Sequence, residues 1–107
     1  MNKDFLTRWQ RMTIFEQMGN IGSEVGRAIS AARRDDSTAA NAAISRALDL
    51  FDATENDLVK SKKSSRLREV LRARDQFLSL FFADNFADAD NIEKYFMNFA
   101  IAARSNR

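Results

Sequence analysis

The sequence predicts an all-α fold, namely an antiparallel up-and-down four-helix bundle built from a single domain, residues 1–107. Apolar residues recur at three- and four-residue spacing in four segments, which gathers them on one face of each predicted helix. Proline is absent and glycine occurs only three times, so few residues are present that interrupt helices. The links between the four segments are short, and short links favour antiparallel neighbours.

The first long helix is predicted to begin at Thr13, because Thr13 and Glu16 have the spacing of a capping box. It is predicted to end in the polar turn at residues 33–36. Its apolar stripe consists of Ile14, Met18, Ile21, Val25, Ala28, Ile29 and Ala32.

Three further helices are predicted after this turn. The second runs from Ser37 or Thr38 to about Thr54, and a polar connector at residues 55–64 leads to the third. The fourth begins near Asp90. Their apolar stripes are Ala40, Ile44, Ala47, Leu48 and Phe51, then Leu67, Val70, Leu71, Phe77, Leu78 and Phe81, then Ile92, Tyr95, Phe96, Phe99 and Ala103.

Composition limits the function classes that are open to the chain. The net charge of +2 is too small to indicate a nucleic-acid partner by itself, and the absence of cysteine excludes thiolate chemistry. Histidine is also absent, which excludes nucleophile–histidine catalysis, the usual zinc sites and di-iron sites with Glu-x-x-His ligands. No segment has the apolar character of a signal peptide or a membrane span, so we expect a cytoplasmic protein without membrane contact or cofactor.

All three glycines lie on one side of the first long helix. Gly19, Gly22 and Gly26, together with Ser23, form a strip that we call the glycine ridge. Each glycine inside a helix costs about 1 kcal/mol relative to alanine, so we expect something to lie close against this backbone. A neighbouring helix is the favoured interpretation, by analogy with other small-residue interfaces. A self-association contact and a small-molecule cleft are the alternatives.

Arg74 is predicted to lie among the apolar residues of the third helix, where a charge needs a partner. Glu24, which borders the apolar stripe of the first long helix, is the preferred partner, and Glu55 and Asp52 are the alternatives. The favoured interpretation is a purely structural role, either as an ion pair or as an arginine that extends to solvent between helices. The functional interpretation is an anion site in a pocket, in which Arg74 binds the anion.

The segment at residues 60–74 is strongly basic, with seven positive side chains against one negative. Lys60, Lys62, Lys63 and Arg66 are the candidate phosphate contacts, because such contacts give salt-sensitive binding to nucleic acid. The charges are scattered around the predicted helix, however, and no exposed aromatic residues lie between them. A solvated surface is therefore the favoured interpretation.

Catalysis and metal binding have little support in the sequence. Asp49, Asp52 and Glu55 recur at every third residue, a spacing at which acidic side chains on a helix bind magnesium. A metal site of this kind needs a second acidic pair on another helix, and the sequence offers none with suitable spacing. We therefore predict no metal site and no catalytic residues.

Leu80, Met97 and Ile101 are predicted to project away from the inner stripes of the third and fourth helices. Three outward apolar residues on adjacent helices indicate that something covers them. A symmetric homodimer is one explanation. The other is residues 1–12, which form either a short extra helix or an arm, and whose apolar side chains are Phe5, Leu6 and Trp9.

Segments at residues 20–28, 46–54, 66–69, 72–75 and 94–104 resemble a family of small uncharacterised bacterial helical-bundle proteins. The most specific block is NIGSEV, followed after one residue by RA. The resemblance implies a bacterial helical bundle and carries no activity or functional residues with it.

The sequence as a whole favours a non-catalytic protein-interaction module, whose partner is another protein or a second copy in a homodimer. Nucleic-acid binding through residues 60–74 is the alternative.

Overall fold

The computed structural model describes residues 2–105 and contains five α-helices. No strand occurs in this part of the chain, which confirms the predicted all-α class. The helices are α1 (Lys3–Arg11), α2 (Ile14–Arg33), α3 (Ser37–Lys60), α4 (Ser64–Phe82) and α5 (Ala89–Ser105), with a 3₁₀ turn at Phe86–Asp88 before α5.

Helix α2 lies at the centre of the packing, with α3 on one side and α5 on the other. Helix α4 packs mainly against α3, and the N-terminal helix α1 also packs against α3. Three aromatic rings connect α3, α4 and α5. The ring centroid of Phe51 in α3 lies 6.2 Å from that of Phe77 in α4 and 6.2 Å from that of Phe96 in α5. Such aromatic pairs add about 0.5–1.5 kcal/mol each beyond the area they bury.

Local signals set the starts of the long helices. The backbone N–H of Glu16 donates to Thr13 Oγ1 at 3.1 Å, and the N–H of Thr13 donates to Glu16 Oε1 at 2.9 Å. The predicted capping box is therefore confirmed. Helix α3 begins at Ser37, as predicted, with Asp36 as the capping residue that accepts from the N–H of Ala39 at 3.1 Å.

Three helices end without a glycine at the position where glycine is most favourable. Asp35, Lys62 and Asp84 have positive φ angles of 57°, 58° and 56°. In the turn after α3, the N–H of Lys63 donates to the carbonyl of Leu58 at 3.0 Å, which is the long hydrogen bond of a Schellman motif. Lys62 therefore holds a left-handed conformation that its side chain disfavours.

Helix α3 is longer than predicted. The expected connector at residues 55–64 is helical as far as Lys60, so the predicted end near Thr54 is wrong. Leu58 is only 4% exposed and joins the core, while Asn56, Val59 and Lys60 around it are exposed. Burial of that one leucine extends the apolar stripe by a further turn, which the polar composition of the segment concealed.

Helix α4 is rotated relative to the prediction. Its buried residues are Val70, Ala73, Phe77 and Leu80, spaced at three, four and three residues along one line of the helix. Leu80 is 2% exposed, so the prediction that it projects outward is wrong. Leu71 is 40% exposed and lies outside this line, so its predicted position on the inner stripe is wrong.

Residues 3–11 form the short extra helix rather than an arm. Trp9 is 2% exposed, and its indole N–H donates to the hydroxyl of Thr54 at 2.9 Å. The side-chain amide of Gln17 donates to the carbonyl of Trp9 at 2.8 Å. Gln17 and Thr54 are themselves buried, so these two hydrogen bonds attach α1 firmly to α2 and α3.

Candidate interaction surface on helices α2 and α5

The first half of the glycine ridge lies against α5. A Cβ atom built on Gly22 would be 2.7 Å from Cβ of Phe96, a distance that real contacts do not reach. A Cβ atom on Gly19 would be 3.4 Å from Cα of Ala100, at the near limit of ordinary contact. These two glycines therefore allow the backbones of α2 and α5 to approach closely, as the favoured interpretation of the ridge expected.

The second half of the ridge is open. No heavy atom outside the helix's own backbone lies within 4 Å of a Cβ built on Gly26, so α5 does not explain why this residue is glycine. Ser23, one turn earlier, is exposed, and its hydroxyl donates to the carbonyl of Gly19 at 3.4 Å. The ridge thus leaves a low strip of surface beside α5.

A groove of about 200 Å³ runs between this strip and α5. We call it the α2–α5 groove, and its lining consists of Gly19, Gly22, Ser23, Gly26, Glu93, Phe96, Met97 and Ala100. Met97 is 56% exposed, and Ile101 one turn further along α5 is 46% exposed. Two large apolar side chains therefore protrude beside a strip that has almost no side chains.

Ion pairs flank the groove on both sides. The carboxylate of Glu24 binds Arg27 Nη1 at 2.7 Å and Arg46 Nε at 2.9 Å, which ties α2 to α3. On the other side, Arg33 binds Asp90 at 2.6 Å and Glu93 at 2.9 Å, which ties α2 to α5. The hydrogen bond with Asp90 raises the pKa of Arg33 above its ordinary value. The middle of the groove is apolar and its edges are charged.

Arg74 does not pair with Glu24, so the preferred pairing is wrong. Its Nη1 donates to Glu55 Oε1 at 3.1 Å and to Asp52 Oδ1 at 3.3 Å, the two alternatives. The physical reason is that α4 packs on α3, whereas Glu24 is engaged by Arg27 and Arg46. Arg74 thus forms a structural tie between α3 and α4, at the border of the core.

Glu55 shows how this tie is balanced. Burial raises the pKa of Glu55 above its ordinary value, and the neighbouring charge of Arg74 opposes that rise without cancelling it. The side chain of Arg74 is 30% exposed, so the pair lies partly in solvent. A partly exposed ion pair of this kind contributes modestly to stability.

The basic segment divides into two parts. Arg66 binds Glu69 at 2.7 Å, and its guanidinium carbon lies 5.9 Å from the ring centre of Phe15, so this candidate phosphate contact is already engaged within the chain. Lys60, Lys62 and Lys63 are exposed together at the turn between α3 and α4. Only these three of the predicted phosphate contacts share one place on the surface and lack an ion pair within residues 2–105.

No group of three acidic side chains in residues 2–105 is placed to hold a metal ion. Among the helices of that same stretch, none is both long and apolar enough to cross a membrane.

Sequence reasoning missed one exposed aromatic residue. Phe82, at the end of α4, is 72% exposed, while the preceding Phe81 is partly buried against Phe77 and Phe86. The signal was present, because Phe82 lies about 100° further round the helix than Phe81, away from the buried line of Val70, Phe77 and Leu80. Phe82 is not among the residues that line the α2–α5 groove.

Comparisons with known proteins add no assignment. No protein-family model, no curated protein and no solved structure matches the chain.

Proposed function

We propose that this protein is a non-catalytic interaction module that self-associates through the α2–α5 groove. The observation that carries the proposal is Gly26, a helix-destabilising residue whose missing side chain makes room for nothing within residues 2–105. Glycine at such a position costs about 1 kcal/mol relative to alanine, so a contact with another molecule explains the residue better than packing within the chain.

The surface is self-complementary, which favours a second copy of the chain as the partner. Met97 and Ile101 protrude from α5, and the recessed strip at Ser23 and Gly26 lies beside them. A two-fold axis through the groove places the protruding side chains of one copy over the recessed strip of the other. Contact of this kind buries apolar side chains at the centre and leaves the flanking ion pairs at the rim, the usual arrangement of a protein interface.

Several finer expectations accompany this proposal. We propose that the four long helices form an antiparallel up-and-down bundle. In support, Gly19 faces Ala100 and Gly22 faces Phe96, so the numbering of α2 rises as that of α5 falls. Membership of the bacterial family that the sequence resembles, and a cytoplasmic location, are likewise proposals.

The experiment is sedimentation velocity over a range of protein concentration. We expect the wild-type chain to show a monomer–dimer equilibrium and Met97→Glu to remain monomeric, because a buried unpaired carboxylate opposes the contact. Leu71→Glu is the matched control, since Leu71 is an exposed apolar residue on a different helix, and it should associate as wild type does. A wild-type chain that stays monomeric up to high micromolar concentration contradicts self-association.

Nucleic-acid binding is the second candidate function. Its support is the group of Lys60, Lys62 and Lys63, three exposed cations at one turn. If phosphate contacts drive binding, the logarithm of the binding constant should fall linearly with the logarithm of the salt concentration. This line should become less steep when all three lysines are changed to glutamine. Unchanged binding in the triple variant contradicts this candidate.

A further inference from the structure

A second cavity lies where α1 meets α2 and α3. Its volume is about 390 Å³, which falls in the range of about 300–1,000 Å³ that is typical of small-molecule sites. Phe5, Met12 and Leu50 form its apolar lining together with the buried Trp9. The cavity shares Ser23 with the α2–α5 groove, but neither Met97 nor any other residue of α5 lines it, so contact through the protruding residues of α5 does not account for it.

Cationic groups stand around this apolar lining. Arg8, Arg27 and Glu24 all line the cavity, and the carboxylate of Glu24 is neutralised by ion pairs with Arg27 and with Arg46. Arg8 forms neither an ion pair nor a side-chain hydrogen bond with any residue between 2 and 105. Glu24 thus binds both Arg27 and Arg46, whereas the guanidinium donors of Arg8 have no side-chain partner in the described residues.

The remaining polar groups of the cavity are satisfied within α2. The amide of Asn20 donates to the carbonyl of Glu16 at 2.8 Å, and the hydroxyl of Ser23 donates to the carbonyl of Gly19. The free donors that face a guest are therefore those of the arginines. Guanidinium groups bind carboxylates through charge-assisted hydrogen bonds, which are stronger than neutral ones.

The wall that α1 supplies is fixed in place. Trp9 is held by Thr54 through its indole and by Gln17 through its carbonyl, and its ring stacks on that of Phe5 at 5.6 Å. Both buried hydrogen bonds would be lost if α1 moved away, which would leave polar groups unsatisfied. The cavity is therefore part of the folded structure.

We propose that this cavity binds a small organic anion, namely a carboxylate carried on a medium-length aliphatic chain. The apolar lining receives the aliphatic part, and Arg8 binds the carboxylate at the mouth. Arg27 stands beside it and retains donors that Glu24 does not occupy.

Trp9 is the only tryptophan of the chain, so its fluorescence reports on this cavity directly. The test is a titration of the full chain with decanoate below its micelle concentration, with decanol as the neutral ligand of equal chain length. We expect a saturable change in Trp9 emission with decanoate, and a much weaker response to decanol.

Two variants and a control identify the groups involved. Arg8→Gln should weaken decanoate binding about tenfold and leave decanol binding unchanged, because only the charged hydrogen bonds are lost. Leu50→Gln should weaken binding of both ligands. Arg68→Gln, an exposed arginine on α4, is the matched control and should bind as wild type does.

The proposal is overturned if decanoate produces no saturable change while circular dichroism shows the fold intact. It is equally overturned if decanoate and decanol bind alike and Arg8→Gln has no more effect than Arg68→Gln. Met97→Glu should bind decanoate normally, so failure of the self-association proposal and failure of this one are distinguishable.

Discussion

Two alanine substitutions on the same helix should change stability in opposite directions. Gly22→Ala and Gly26→Ala add the same methyl group to α2, and both remove a residue that disfavours helix. The added Cβ at position 22 lies 2.7 Å from Cβ of Phe96, whereas at position 26 it meets nothing within 4 Å. The change in helix propensity is the same in both variants, so the difference between their stabilities measures the effect of the close approach of α5.

The magnitudes follow from these two distances. At position 26 the helix-propensity gain is unopposed, so we expect the free energy of unfolding to rise by about 1 kcal/mol. At position 22 the carbon atoms must separate by about 1 Å to reach an ordinary contact of about 3.5–4.0 Å. Overpacking of that kind costs about 1–3 kcal/mol and outweighs the same gain, which leaves a net loss of about 1 kcal/mol.

Urea denaturation followed by far-UV circular dichroism measures both variants. The measurement is made at low protein concentration, so that self-association does not contribute to stability. Gly19→Ala is an internal control and should fall between the two, because its Cβ would lie 3.4 Å from Cα of Ala100. A Gly22→Ala variant as stable as Gly26→Ala would refute the assignment of Gly22 as a close-packing residue.

Three further predictions concern other parts of the chain. Thr54→Val should cost about 1–3 kcal/mol and alter Trp9 emission, because the buried indole N–H loses its acceptor; unchanged stability and emission would contradict this. Lys62→Gly should raise the free energy of unfolding by about 1 kcal/mol in urea denaturation, since glycine adopts the φ of 58° without strain, and a loss of stability would contradict this. Burial raises the pKa of Tyr95 to about 12, and the negative charge of Glu69 adds to this effect. Tyr95 is the only tyrosine of the chain, so a titration followed by tyrosinate absorbance should measure this pKa directly. The folded state holds that proton more tightly than the unfolded state, so the associated stability is present below pH 10.0 and is lost as the pH rises towards about 12; a loss of equal size in Tyr95→Phe would contradict the assignment.

Features governed by local sequence could be predicted, and they include the starts of α2 and α3. Thr13 and Glu16 cap each other across three residues, and the polar turn before Ser37 needs no distant contact. The end of α3 could not be predicted in this way. Its last turns depend on the burial of Leu58 by other helices, and nothing in the polar residues around it shows that burial.

The partners of polar side chains could not be predicted from one sequence. Arg74 was correctly expected to need a carboxylate, yet the choice among three carboxylates depends on which helices are neighbours. Gln17 and Thr54 appear in the sequence as ordinary helical residues, and they are buried because Trp9 lies over them. Polar contacts between helices are set by rotation and register, which are properties of the packed state.

A single-cysteine cross-linking experiment tests the proposed self-association most directly, because the chain has no cysteine of its own. Met97→Cys places one thiol beside Gly26, at the proposed two-fold contact, and Leu71→Cys places one on an exposed site of α4. In the proposed dimer each Met97 lies over the recessed strip of the other copy, so the two thiols flank the two-fold axis. We predict that a flexible bifunctional maleimide joins them into a covalent dimer far faster than it joins those of Leu71→Cys. Equal rates for the two variants, or no dimer from Met97→Cys, would contradict the groove as the surface through which the protein binds its own kind.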